Sequence, residues 1–146
     1  MQLKKSILQY ILAVLARAMI RKYEPIIVGV TGSVGKTSTR LAIAAVLESK
    51  YRVRTAEKNY NNEIGLPLAI LEMTHQGRNA FGWAWAILGA IKRLFLGYAY
   101  PEVLILEYGV DRPGDMDYLL SIARPDTAVV TAIGDVPVHV EFFKNA

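Results

Sequence analysis

The sequence predicts an α/β fold, a mostly parallel β-sheet with helices on its faces. Three observations predict it. The runs 26–30 and 103–106 are apolar throughout, as strands are when helices cover both faces of a sheet. Longer segments with helical spacing lie between such runs. A glycine-rich turn, Thr31-Gly32-Ser33-Val34-Gly35-Lys36-Thr37-Ser38, joins the first run to a helix.

Residues 3–22 read as an amphipathic helix with Leu3, Ile7, Ile11, Val14 and Ala18 on one face, stopped by Tyr23-Glu24-Pro25. Lys4-Lys5, the apolar run 7–16 and Ala16-Arg17-Ala18 also share the outline of a short signal peptide. Arg17 interrupts that apolar region, and the run is too short to span a bilayer, so the helix is preferred. The strand 26–30 and the glycine turn follow, then a helix over 37–49 that packs through Leu41, Ile43, Val46 and Leu47. A second strand is expected at 51–55. Asn59-Tyr60-Asn61-Asn62-Glu63-Ile64-Gly65-Leu66-Pro67 is a loop by its Asn, Gly and Pro content, leading into a helix at 67–74. Its asparagines serve either as turn and cap residues or as ligand contacts.

Residues 76–79 turn, and 81–100 read as a helix rich in aromatic and aliphatic residues, broken by Gly82, Gly89 and Gly97. Lys92 and Arg93 are the charges of that segment. It either packs inside the protein or lies at a membrane interface, with Trp83 and Trp85 at headgroup level. Pro101 opens a third strand, Val103 to Leu106, ending at the carboxylate of Glu107. After the loop Asp111-Arg112-Pro113-Gly114, Asp115 caps a helix over 116–123. A fourth strand, 127–133, leads through Gly134 and Pro137 to His139. The sequence stops as another helix begins, the expected mark of a partial domain.

The glycine turn carries the chemistry. Gly32 and Gly35 let backbone N–H groups approach a polyphosphate, and the helix that follows adds its positive dipole end. Lys36 would reach the terminal phosphates and Thr37 would offer its hydroxyl to Mg²⁺. The general P-loop pattern has a glycine where Val30 stands, and Gly29 is one place early. An acid after an apolar strand, here Glu107, is how such folds set a carboxylate beside the metal.

The totals agree. The chain has 146 residues, 53% hydrophobic and 21% charged, which suits one globular domain. Its net charge of +4 fits a polyanionic ligand but is too weak and scattered for nucleic acid. With no cysteine there is neither disulfide nor thiolate metal site.

Four stretches together resemble the central ATPase domain of the Mur ligases, most like the members that add D-alanyl-D-alanine to the peptidoglycan precursor. They are 31–37, 61–67, Glu107-Tyr108-Gly109 with Gly114-Asp115-Met116, and 131–143 with His139. The resemblance covers about residues 25–143, behind an N-terminal helix at 1–24. It accounts for the displaced glycine, since the family's loop resembles Gly29-Val-Thr-Gly-x-x-Gly-Lys-Thr. It implies a cytoplasmic enzyme using ATP and Mg²⁺, which phosphorylates a UDP-muramoyl-peptide carboxylate; an amine then attacks the acyl phosphate. By match, Thr31 to Ser38 bind nucleotide, Lys36 holds the terminal phosphates, and Thr37 and Glu107 hold one Mg²⁺. Glu107 and His139 share a second, and Asn62 lies near the transferred phosphate. The family's lysine for that second metal falls beyond residue 146, so residues 1–146 alone are expected to be inactive. Two other classes compete. One is a noncatalytic nucleotide-binding module held to a partner or membrane through 3–22 and 81–100. The other is a P-loop kinase or GTPase, the latter disfavoured because no Asn-Lys-x-Asp guanine signature is present.

Overall fold

A computed structural model describes residues 2–56 and 60–134. The elements run α1 (Gln2–Tyr23), β1 (Ile26–Thr31), α2 (Lys36–Leu47), β2 (Val53–Thr55), α3 (Gly65–Leu71), α4 (Ala80–Leu96), β3 (Val103–Glu107), α5 (Asp115–Ile122) and β4 (Thr127–Val130). The four strands form one sheet in the order β2-β3-β1-β4, and every pair is parallel. The α/β expectation is met.

The apolar strands alternate between two cores. Ile27, Leu104, Leu106 and Tyr108 pack with α1, α3, α4 and α5. Val28, Val30, Val103 and Ile105 point the other way, onto Ala44, Ile43 and Leu47 of α2. The helix after β1 therefore lies on one face and the helix after β3 on the other. Between two such strands the connections diverge and leave a crevice at their C-terminal ends, where α/β sheets bind ligands.

Four sequence readings need correction. In α1 the buried face is Leu12, Ala13, Ala16 and Met19, whereas Ile7 and Val14 are exposed. The helix is apolar on most sides, and the small side, Ala13 and Ala16, lets it approach α3 closely. In α2, Leu41 and Val46 are exposed, and the buried positions are Arg40 and Ala44. Asp115 opens α5 instead of capping it: Gly114 is the cap, and the Asp115 carboxylate accepts the N–H groups of Asp111 and Arg112. The helix at 81–100 ends at Leu96, where Gly97 leaves helical geometry at φ +75°. Its start is capped by Asn79, whose side chain accepts the Gly82 N–H at 2.9 Å.

Tyr108 closes the β3 end of the larger core, donating its hydroxyl to the Ala123 carbonyl at 2.7 Å. Burial pushes that phenol's pKa up, so it stays a donor.

Candidate functional site

The loop from Gly32 to Gly35 sits at the C-terminal end of β1, and α2 starts directly from it. Gly35 is the helix cap at φ +81°, a conformation that suits glycine, and no side chain caps the helix start. The first N–H groups of α2 are thus available to an anion. Gly32 has φ +134°, and a Cβ there would collide with Thr131 Oγ1 and come within 2.9 Å of the Ala132 carbonyl oxygen.

The segment 131–134 clasps the loop from the β4 side. Thr131 Oγ1 donates to the carbonyls of Thr31 (3.1 Å) and Val34 (2.6 Å). The Ser33 N–H donates to the Ala132 carbonyl at 2.6 Å, and the Gly134 N–H to Ser33 Oγ at 3.0 Å. The Lys36 ammonium curls back onto the loop, donating to Gly32 O at 2.6 Å and Ser33 O at 3.4 Å. Gly32→Ala should therefore push the clasp away and cost on the order of 1–3 kcal/mol. Urea denaturation measures this; equal midpoints for variant and parent would contradict it.

Glu107 faces the loop from the end of β3, beside Val30 in the sheet. Its strand-end position suggests an edge carboxylate, yet the residue is only 5% exposed. Thr37 donates its hydroxyl to Glu107 Oε2 at 3.1 Å. Asn61 Nδ2 donates to Oε1 at 3.2 Å. Arg40 Nε lies 3.6 Å from Oε2 and has no hydrogen-bond acceptor, although the residue is 2% exposed. The Arg40 Nη1 group donates to Thr55 Oγ1 at 2.5 Å and to the Ala56 carbonyl, tying α2 to the end of β2.

The structure thus brings Thr37 and Glu107 together, while the Lys36 ammonium rests on the carbonyls of its own loop. Asn62 turns elsewhere: its Oδ1 accepts the N–H groups of Ile64 (3.2 Å) and Gly65 (2.8 Å), the capping role its sequence also allowed. Its neighbour Asn61 reaches Glu107 instead, and also accepts the Gly109 N–H at its backbone carbonyl, 2.8 Å away. His139 lies outside the described residues. Arg40 was missed, though its spacing offered a signal: it falls three residues after Thr37 and four after Lys36, on the same helix face.

A hydroxyl and a carboxylate converging at 3.1 Å, both hard oxygen donors, form a set that fits Mg²⁺. Among the described residues no three acid or imidazole side chains gather. Beside the site, a polar cavity of about 680 Å³ opens between α1 and the loops, lined in part by Arg17, Asn62, Glu63, Arg112 and Tyr118.

Fold and loop together define a P-loop α/β domain. Comparison with known proteins narrows this. Residues 30–81 match the family model described as Mur ligase middle domain. UDP-N-acetylmuramoyl-tripeptide–D-alanyl-D-alanine ligase of Bacillus subtilis is 36% identical over 121 residues, 83% of this chain and 21% of that protein. The protein of the same name from Synechocystis is 33% identical over 74% of the chain and 18% of its own length. Among solved structures, the MurF ligase from Thermotoga maritima in complex with ADP superposes with a TM-score of 0.59 at 34% identity, over 84% of this chain and 23% of that one. MurF from Acinetobacter baumannii, at 21% identity and a TM-score of 0.58, shows the same fold. The chain belongs to the Mur ligase family. It spans about a fifth of the length of the relatives it matches.

Proposed function

We propose that this chain is the nucleotide-binding part of an ATP-dependent ligase that joins D-alanyl-D-alanine to a UDP-muramoyl-tripeptide. One observation carries the proposal: the P-loop threonine meets a buried strand-end carboxylate, itself held by an asparagine from the loop at 61–67, beside a loop whose carbonyls hold the Lys36 ammonium. The likeness to ligases with that printed name supplies the substrates.

In this reading the unit runs over 25–146, behind the helix at 1–24. Residues 31–38 wrap the phosphates of ATP, and the Lys36 ammonium exchanges its loop carbonyls for phosphate oxygens. Thr37 and Glu107 hold Mg²⁺, with His139 keeping the role in a second metal site that the resemblance gives it. Bound Mg²⁺ would offset the charge that gathers on the transferring phosphoryl group. Asn61 fixes the Glu107 carboxylate from the side away from Thr37. The cavity lined by Asn62, Arg17 and Arg112 is one loop away from Glu107, and its polar walls suit part of the muramoyl-peptide. The work of the chain is positioning: holding carboxylate and phosphate together replaces an improbable encounter, an effect worth up to ~7–11 kcal/mol in well-oriented reactions. The enzyme would act in the cytoplasm, with residues 81–100 at the inner membrane face.

The test is mass-spectrometric detection of UDP-muramoyl-pentapeptide from ATP, Mg²⁺, the tripeptide precursor and D-alanyl-D-alanine. The full-length protein is expected to form it, and residues 1–146 alone are expected to bind nucleotide weakly and form none. Nucleotide binding without product from the full-length protein would favour the noncatalytic module. Product from residues 1–146 would show that fewer parts are needed than proposed.

A further inference from the structure

The outer face of α4 is not explained by phosphate or metal binding. At 100° per residue, Phe81, Ala84, Trp85, Leu88, Lys92, Phe95 and Leu96 fall within about a third of the helix circumference, and all of them are exposed. Phe81 is 79% and Trp85 72% exposed. The opposite face does the packing. Trp83 is buried, donates its indole N–H to Gly77 O at 3.1 Å and meets the His75 ring edge-on. The two tryptophans, two residues apart, thus face opposite ways, and only Trp85 is free to touch another surface.

We propose that α4 lies flat on an anionic lipid bilayer, with Phe81, Trp85, Leu88, Phe95 and Leu96 at the boundary between headgroups and acyl chains. Charge selects this occupant. The 17 residues of α4 include no acid, and Lys92 sits in the middle of the apolar arc, where its stem can lie in apolar surroundings while the ammonium reaches phosphate. Arg78 is exposed just before the helix, and Lys22 is exposed at the end of α1. Lys22 donates to the Leu94 carbonyl, and the Tyr23 hydroxyl to the Arg93 carbonyl at 2.8 Å, so the Lys22 ammonium sits at the C-terminal end of α4. Glu72 is already paired with Arg54 at 3.1 Å and Arg93 at 3.8 Å, which leaves the exposed Glu24 after α1 against Lys22, Arg78 and Lys92. No helix among the described residues is long and apolar enough to cross a membrane, so the contact is peripheral. Tyr23 precedes β1 and the glycine loop follows it, so the Tyr23 end of α4 and the phosphate loop lie at opposite ends of that strand.

This proposal deepens the membrane placement given to residues 81–100 above, and its test does not involve ligation, so its failure would leave the ligase reading untouched. The full chain is floated with phosphatidylcholine vesicles, with or without phosphatidylglycerol. Wild type should rise with the anionic vesicles, and Trp85 emission should be quenched by brominated acyl chains. Phe81→Ser/Trp85→Ser should lower partitioning by about tenfold or more, and Lys92→Glu should weaken binding to anionic vesicles alone. ATP affinity should be the same in all three proteins, which also shows that the variants fold. Wild type that stays out of anionic vesicles, or variants that partition equally, would overturn the proposal. So would a dimer, seen by sedimentation equilibrium, that the Phe81/Trp85 variant dissociates while vesicle binding is absent.

Discussion

Lys36→Ala is expected to abolish measurable ATP binding. Its ammonium rests on two carbonyls of the loop itself, Gly32 O and Ser33 O, within reach of any phosphate the loop wraps. The other cation nearby, Arg40, is committed to Glu107, Thr55 and Ala56 and is buried. No other side chain of the loop 31–38 carries a positive charge. Charge-assisted hydrogen bonds contribute about 1.5–3 kcal/mol each, so an affinity loss of about 100-fold is the minimum expected. Stability without nucleotide should change little, because the lysine's partners are partly exposed carbonyls that water can satisfy. Isothermal titration with Mg-ATP reads the first effect and thermal denaturation the second. Unchanged affinity would remove the P-loop assignment.

Arg40→Met is expected to be the more damaging change to the fold. It leaves the Glu107 carboxylate without its buried cation, and it strands Thr55 Oγ1 and the Ala56 carbonyl. Breaking one side of a buried ion pair typically costs about 3–5 kcal/mol, a large share of a small domain's stability. Glu107→Ala should cost a similar amount from the other side, so it is a poor probe of metal binding taken alone. Glu107→Gln keeps the shape; its amide oxygen can accept from Asn61 while its NH2 donates to the Thr37 hydroxyl, which turns from donor to acceptor. The double variant Arg40→Met/Glu107→Gln should be more stable than Arg40→Met, since no unpaired buried charge remains. Urea denaturation of the four proteins gives the coupling energy. Additive single changes would mean that the 3.6 Å approach of Arg40 to Glu107 carries no stabilisation.

The loop 31–38 and the strands flanking it were legible because the constraint there is severe. Close backbone approach demands glycine, phosphate charge demands a cation, and burial on both faces demands unbroken apolar strands. Elsewhere the sequence offered equivalent choices and tertiary packing decided. Asn61 and Asn62 are chemically identical neighbours, and the backbone of their loop determines that the first reaches Glu107 and the second caps α3. Trp83 and Trp85 read as one aromatic cluster, but two residues is more than half a helical turn, so one is buried and the other exposed. In α1 and α2 several apolar stripes compete. The sheet took Ala16 and Met19 over Ile7, and Arg40 with Ala44 over Leu41, because close approach and a buried ion pair counted for more than side-chain size.

The clasp from Thr131 to the phosphate loop joins residues 100 positions apart in the chain. β1 lies between β3 and β4 and does not pair with β2, its immediate successor in sequence. On a ribosome the glycine loop is therefore made early and braced late. Until residues 127–134 emerge, its β4 side has no support, and the nascent chain carries an unpaired strand edge and a phosphate site that cannot close. Chains stalled before Thr131 should bind no nucleotide, so ATP becomes available to the growing protein as a stabilising ligand only after nearly every described element has been synthesised.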